Sequence, residues 1–331
     1  MNLKKFNSIS WLVALSILVV VLSFLSVGVG AVYISPSEIF QNFLGAGTGN
    51  NDFIIMNFRL PRIFMALLVG VGLGVSGAIL QGIIRNPLAS PDVIGITKGA
   101  GLAAVIVIIL FPGLPLIGLP IAAFIGAGVV TAVLYMFAYR QGVQPATLAL
   151  VGIALGAICQ AGIQLLTVKF PLETNVALVW LTGSLWGKDW TDVWLLLPWI
   201  VVLLPISIVL ASKLDVLSLG DDVAEGLGES VRKARLLLLV IAVLLAAASV
   251  AVVGTIGFVG LIAPHIARQL VGNRHSYLLP ASALVGMVLL LLADGLGRGI
   301  LPPTEIPAGI FTAVIGAPYF LFLLRRLQVS K

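Results

Sequence analysis

The sequence predicts an all-α polytopic membrane protein, ten transmembrane helices with both termini cytoplasmic, and three observations carry that expectation. Of 331 residues, 60% are hydrophobic and only 10% charged; no soluble domain of this length can bury such a share in its core. Uncharged stretches of roughly 20 residues, enough to cross the hydrocarbon layer, recur along the chain. Basic residues gather between alternate pairs of these stretches, as expected of loops held on the cytoplasmic side. The whole chain, 1–331, reads as a single transmembrane domain. Its one long polar interruption is a cytoplasmic loop at residues 213–235.

The opening "MNLKKFNSIS" has the basic start of a signal peptide, but the apolar run behind it, residues 11–32, exceeds a signal core and reads as an uncleaved first span. The next five spans fall at residues 63–84, about 93–110, 116–138, 145–168 and 193–211. The uncharged run 236–264 is too long for one upright helix at about 1.5 Å per residue, and "GTIGFVG" at 254–260 offers a break. That divides the run into spans at about 236–253 and 258–271; residues 276–293 and 308–324 complete the set. Charge decides between ten spans and nine. With ten, thirteen of the nineteen Lys and Arg lie inside; with nine, Arg268, Arg274 and the tail "RRLQVSK" move outside, against the positive-inside rule. Arg59, Arg62, Lys169, Lys188 and Arg298 remain on the outer side as exceptions, and Lys98 falls within the third span.

Several functions are excluded by what the chain lacks. The net charge of +6 belongs to short loops, so nucleic-acid binding is not expected. The single cysteine, Cys159, sits in an apolar run and gives no disulfide framework. His265 and His275 have no carboxylate or cysteine at metal-ligand spacing, so neither a metal nor another cofactor is expected. The clusters "GITKGAG" and "LWGKDW" lack the remaining positions of a phosphate loop; this chain is not an ATPase or other enzyme by itself. Only Lys98 and Asp294 approach the membrane interior as ionisable groups, too few for an ion-coupled carrier.

The segment "KLDVLSLGDDVAEGLGESVRKAR" stands apart. Asp221 or Asp222 can cap a short helix with Val223, Ala224 and Leu227 on one face, and Gly226 and Gly228 limit its length. A two-turn helix is not stable alone in water. Its four acids disfavour an anionic lipid surface, which leaves another subunit as its support. Glycines recurring in "VGVGLGVSGAILQG" and "GIALGAICQAG" suit close packing of helices in lipid.

Four stretches together are distinctive: "RLPRIFMALLVGVGLGVSGAILQGIIRNPLASPDVIG" (59–95), "LGDDVAEGLG" (219–228), "GFVGLIAPHIARQLVG" (257–272) and "PPTEIPAGIFTAVIGAPYFLFLL" (302–324). With them the chain resembles the FecCD-type permeases of ATP-binding-cassette (ABC) importers, which serve iron-siderophore, haem and cobalamin systems. The resemblance implies a type II ABC importer permease fold in a bacterial plasma membrane, with two permease subunits, the same chain or a paralogue, around a central path. It further implies two cytoplasmic ATP-binding subunits and an extracytoplasmic substrate-binding protein. An iron(III)-siderophore complex is the first cargo it suggests, with cobalamin or haem second.

The resemblance also implies site residues. Gly220, Ala224, Leu227 and Gly228 would meet the ATPase, behind Asp221 and Asp222 at the helix start. The gate would lie at the "RNPLASP" turn, residues 85–91, through Asn86 and Leu88, and at Pro145 and Ala146, where relatives often carry hydroxyl residues. Two prolines in that turn leave backbone groups free. Gln160 and Gln164 share one face of the fifth span and either line the path or hydrogen-bond between helices. Arg59, Arg62 and Arg298 would dock the binding protein by meeting its glutamates; snorkelling or a local ion pair, such as Arg298 with Asp294, is the competing reading.

Overall fold

The computed structural model describes residues 7–30, 32–43, 51–115, 117–139 and 144–329, and every regular element in them is helical. Lys4, Lys5, Arg140 and Lys331, which enter the charge argument, lie outside these residues, as does Leu116 at the start of the expected fourth span. In chain order the helices are α1 Ser8–Gly28, α2 Pro36–Phe43, α3 Asp52–Ile84, α4 Ile96–Leu110, α5 Gly118–Tyr139, α6 Pro145–Lys169 and α7 Thr174–Leu181. They continue as α8 Trp190–Val209, α9 Ala211–Ser218, α10 Asp221–Gly226, α11 Val231–Val253, α12 Val259–Val271, α13 His275–Gly299 and α14 Ala308–Val329.

Among the described residues, α1, α3, α5, α6, α8, α11 and α13 are long and apolar enough to cross a membrane; α4 and the first part of α14 are shorter apolar helices. The break foreseen at "GTIGFVG" is present. α11 stops at Val253, Gly254 turns with φ 78°, and α12 starts after Phe258, whose own φ is 65°. With 13 residues, α12 is about 20 Å long, short of the roughly 30 Å hydrocarbon layer.

α3 is the axis of the molecule. Nearly all of its apolar window is buried, and α13, α11, α12 and α8 pack around it. Small residues make that approach possible. A Cβ on Gly77 would overlap the carbonyl of Gly260, and one on Gly70 would run into the backbone of Gly286 and Met287, so these glycines serve close helix packing. Ser76 Oγ reaches across to α11 and donates to the Ala242 carbonyl at 2.6 Å. By contrast α1, α5, α6 and α8 keep most of their apolar surface open.

Several boundaries differ from those expected. The first helix ends at Gly28 rather than at residue 32, because the guanidinium of Arg59 takes the carbonyls of Val27, Val29 and Val32 and holds that stretch in a turn. α3 begins at Asp52, ahead of "RLPR" rather than after it. A π-turn over Ile55–Arg59 absorbs the break in the hydrogen-bond ladder that Pro61 imposes. The expected loop 213–235 is mostly helix: α9, α10 and the first turn of α11 occupy it, since Leu214, Leu217, Ala224, Val231 and Ala234 all find burial against the bundle. The short helices α2 and α7 carry no periodicity long enough to read from the sequence.

Candidate functional site

α3 has 33 residues and is therefore about 50 Å long. It carries a polar cluster at each end, and a cavity lies between α4, α6, the break after α11 and α14. At its first end lie Arg59, Arg62 and Arg298. The sequence placed them at an open helix mouth, free to meet a partner; they are instead 6%, 8% and 4% exposed and bonded within the chain. Arg62 Nε donates to Asp294 at 2.8 Å and its Nη1 to Glu305 at 2.6 Å. Arg298 pairs with the other oxygen of Asp294 at 3.0 Å and donates to Ser26 Oγ and the Val29 carbonyl at 2.5 and 2.8 Å. Burial of a charge demands such partners. The pairing of Arg298 with Asp294, four residues earlier, is as the spacing suggested. Glu305 was missed, although it sits in the quoted "PPTEIP".

These arginines form the floor of a cleft of about 300 Å³, together with Gly30, Trp186, Lys188 and Glu305. Three guanidiniums against two carboxylates leave one surplus positive charge. It rests on Arg59, whose bonds go to backbone carbonyls. Lys188 is paired with Asp192 at 3.6 Å.

The cavity, about 590 Å³, is lined by Asp92, Lys98, Gln160, Thr255, Phe258 and Val314 among others. Gln160 reaches it and Gln164 does not. Gln164 lies one turn further along α6 and is exposed, while its neighbour Ile163 lines the cavity. Sequence reasoning missed Asp92, which lies just before the expected third span. Its carboxylate accepts from Thr97 Oγ1 at 2.5 Å and from the Phe258 amide at 3.2 Å. Lys98, within the expected third span, also lines the cavity.

The two-proline turn closes on itself, contrary to the expectation of free backbone groups. Asn86 Oδ1 accepts from the Leu88 amide at 2.9 Å and the Asn86 carbonyl from Ala89 at 3.1 Å. An Asx turn of this kind is favoured by Asn. Asn86 is exposed and Leu88 half-buried. Pro145 and Ala146 form the first turn of α6, where the missing proline donor costs nothing.

At the other end of α3, α10 is capped by Gly220 (φ 115°) with no side-chain cap. Asp221 does not cap it. Its carboxylate instead pairs with Arg85 and, at 2.8 Å, with the fully buried Arg235. Burial raises the Asp221 pKa, but hydrogen bonds and charge from Arg235 and then Arg85 outweigh this and leave it below the usual aspartate value. Asp222 points to solvent. Val223, Ala224 and Leu227 do not share one face: Ala224 is fully buried against the chain, whereas Leu219, Val223 and Leu227 are exposed. Gly228, at φ 84° with nothing near it, ends the segment. Lys213 clamps the following turn by holding Glu229 at 2.7 and 2.8 Å.

The chain is similar to known proteins along nearly its whole length. A family model described as the FecCD transport family matches residues 18–326. The Fe(3+)-citrate import system permease protein YfmE of Bacillus subtilis (strain 168) is 58% identical over 94% of this chain and 93% of its own. The iron(3+)-hydroxamate import system permease protein FhuG of the same organism is 45% identical over 94% and 95%. A solved structure described as an inward-facing conformation of a metal-chelate type ABC transporter superposes with a TM-score of 0.85 at 33% identity, covering 96% of this chain and 99% of that one.

Proposed function

The chain belongs to the FecCD transport family, and from that premise we propose that it is the membrane-spanning permease of a ferric-chelate importer driven by separate ATP-binding subunits. It lies in a bacterial plasma membrane. The observation that carries the cargo is the 58% identity to a ferric-citrate permease over nearly the full length of both chains, which makes ferric citrate the first member of the iron(III)-siderophore class to test.

In this reading two permeases, copies or paralogues, enclose a path that includes the cavity between α4, α6 and α14, and each spans ten times with both termini inside. The opening of α6 and the turn 85–91 form the gate. The exposed Leu219, Val223 and Leu227, with the open Gly228 behind them, seat on an ATPase, while the inward Ala224 sets the height of that helix. The binding protein docks over the arginine-floored cleft, whose surplus positive charge favours a carboxylate there.

Uptake of radioactive ferric citrate tests this in cells that lack the chain and in cells that regain it. Import should vanish and return with the chain, and should stop when ATP is depleted with the proton gradient intact. Unchanged ferric-citrate uptake with lost uptake of ferric hydroxamate, haem or cobalamin would move the cargo assignment. Persistence without ATP would favour a stand-alone carrier.

A further inference from the structure

The turn between α3 and α4 is anchored at both ends to distant parts of the chain. At its start Arg85, the residue that ends α3 in the left-handed region (φ 53°), donates from Nε to the Leu217 carbonyl at the end of α9 at 2.9 Å. Its guanidinium pairs with Asp221, the first residue of α10. At its far end Asp92 receives the backbone amide of Phe258 at 3.2 Å. Phe258 belongs to the break between α11 and α12, and with Thr255 and Gly257 it lines the cavity.

Between these anchors the turn is stiff. Asn86 binds Leu88 and Ala89, the Ser90 carbonyl accepts from Ile94, the Pro91 carbonyl from Ile96, and Thr97 holds Asp92. Ala89 and Ser90 are buried, and Pro91 lies against Gly260. The receiving segment is held by Thr255, whose Oγ1 donates to the Leu181 carbonyl at 2.5 Å, and by the buried Ile256. Residues 254–257 lie outside any helix, and Phe258 holds a positive φ that a non-glycine residue adopts at a cost. Its ring also fills the space over Gly316 of α14, where a Cβ would overlap it. A push on Phe258 therefore reaches two walls of the cavity.

We propose that residues 85–92 are a rigid link carrying displacement of α10 to the cavity wall at Phe258, with Arg85 and Asp92 as its positioning residues. The proposal rests on the reading of α10 as the ATPase contact, and it names the route by which that contact reaches the path. A stiff element with a charged input and a strained output transmits a shift instead of absorbing it.

The test uses the permease in complex with its ATP-binding subunits, with Gln160→Cys as a cavity reporter in a Cys159→Ala background. The rate of labelling by a hydrophilic maleimide is read without nucleotide and with a non-hydrolysable ATP analogue. The parent should show a several-fold difference between the two states. Arg85→Gln and Asp92→Ala should each abolish that difference while the complex still binds nucleotide, and Arg85→Lys, which keeps the charge, should retain it. Asp92 lies away from the ATPase contact, so its variant reports even where Arg85→Gln weakens assembly. A parent rate indifferent to nucleotide overturns the proposal, and so does a parent-like difference in Asp92→Ala. Loss in Arg85→Lys would overturn the charge-mediated input. No cargo enters this assay, so a wrong cargo assignment shows only in the uptake experiment.

Discussion

Asp294 is the residue on which the arginine cluster turns, since one buried carboxylate holds Arg62 through one oxygen and Arg298 through the other. Removing one member of such a group leaves uncompensated charge away from water. Asp294→Ala should therefore destabilise the purified protein by about 3–5 kcal/mol, read as a fall in its thermal unfolding temperature. Glu305→Gln, at a site partly open to solvent, should cost less. Equal losses would mean that burial does not set the strength of these pairs. Asp221 gives a pH expectation. Its folded pKa is lowered, so its stabilisation is present above the ordinary aspartate value and is lost as pH falls through the lowered one. Protection of α10 amides from hydrogen exchange, corrected for intrinsic rates, should hold through mild acid and fall only in strong acid. The sequence made Asp294–Arg298 legible because four residues is one helical step. It could not reveal Arg62–Glu305 or Arg85–Asp221, whose members lie far apart in the chain and are joined only by packing.

At the scale of elements, α10 and α3 show opposite uses of small residues. Ala224 is an inward spacer, so Ala224→Leu should overpack the site and cost about 1–3 kcal/mol. Leu227 is 64% exposed, so Leu227→Glu should leave thermal stability unchanged and uncouple ATP hydrolysis from transport in the assembled importer. Coupling retained in Leu227→Glu would remove that face from the ATPase contact. Gly226 has nothing near it and Gly77 has a facing carbonyl. Gly226→Ala should be neutral or gain up to about 1 kcal/mol, whereas Gly77→Val should prevent folded protein from accumulating in the membrane. The existence of a short helix at 221–226 was readable from its composition. Which way it faces was not, because six residues fix no apolar stripe.

At the scale of the whole molecule, the arginine cleft and α10 sit at opposite ends of α3, which requires them to lie on opposite sides of the membrane. With Cys159→Ala as background, a cysteine at Trp186 should react with an impermeant maleimide in intact spheroplasts. One at Val223 should react only after permeabilisation. Labelling of both from the same side would refute the ten-span topology proposed from charge. Hydropathy and charge alone determined that this chain is an all-helical membrane protein, where most spans run, and that the long apolar run breaks near Gly254. Those properties are local or additive along the sequence: apolar length sets a span, and summed basic charge sets its orientation. Only the tertiary structure decided that Arg59, Arg62 and Arg298 are buried and bonded within the chain, that Ala224 turns inward, that Gln160 and not Gln164 meets the cavity, and that Arg85 and Asp92 anchor one turn at both ends. Each of these depends on which distant segments share a boundary, and in a helix bundle that is settled by small-residue packing around α3 and by the need of every buried charge for a partner.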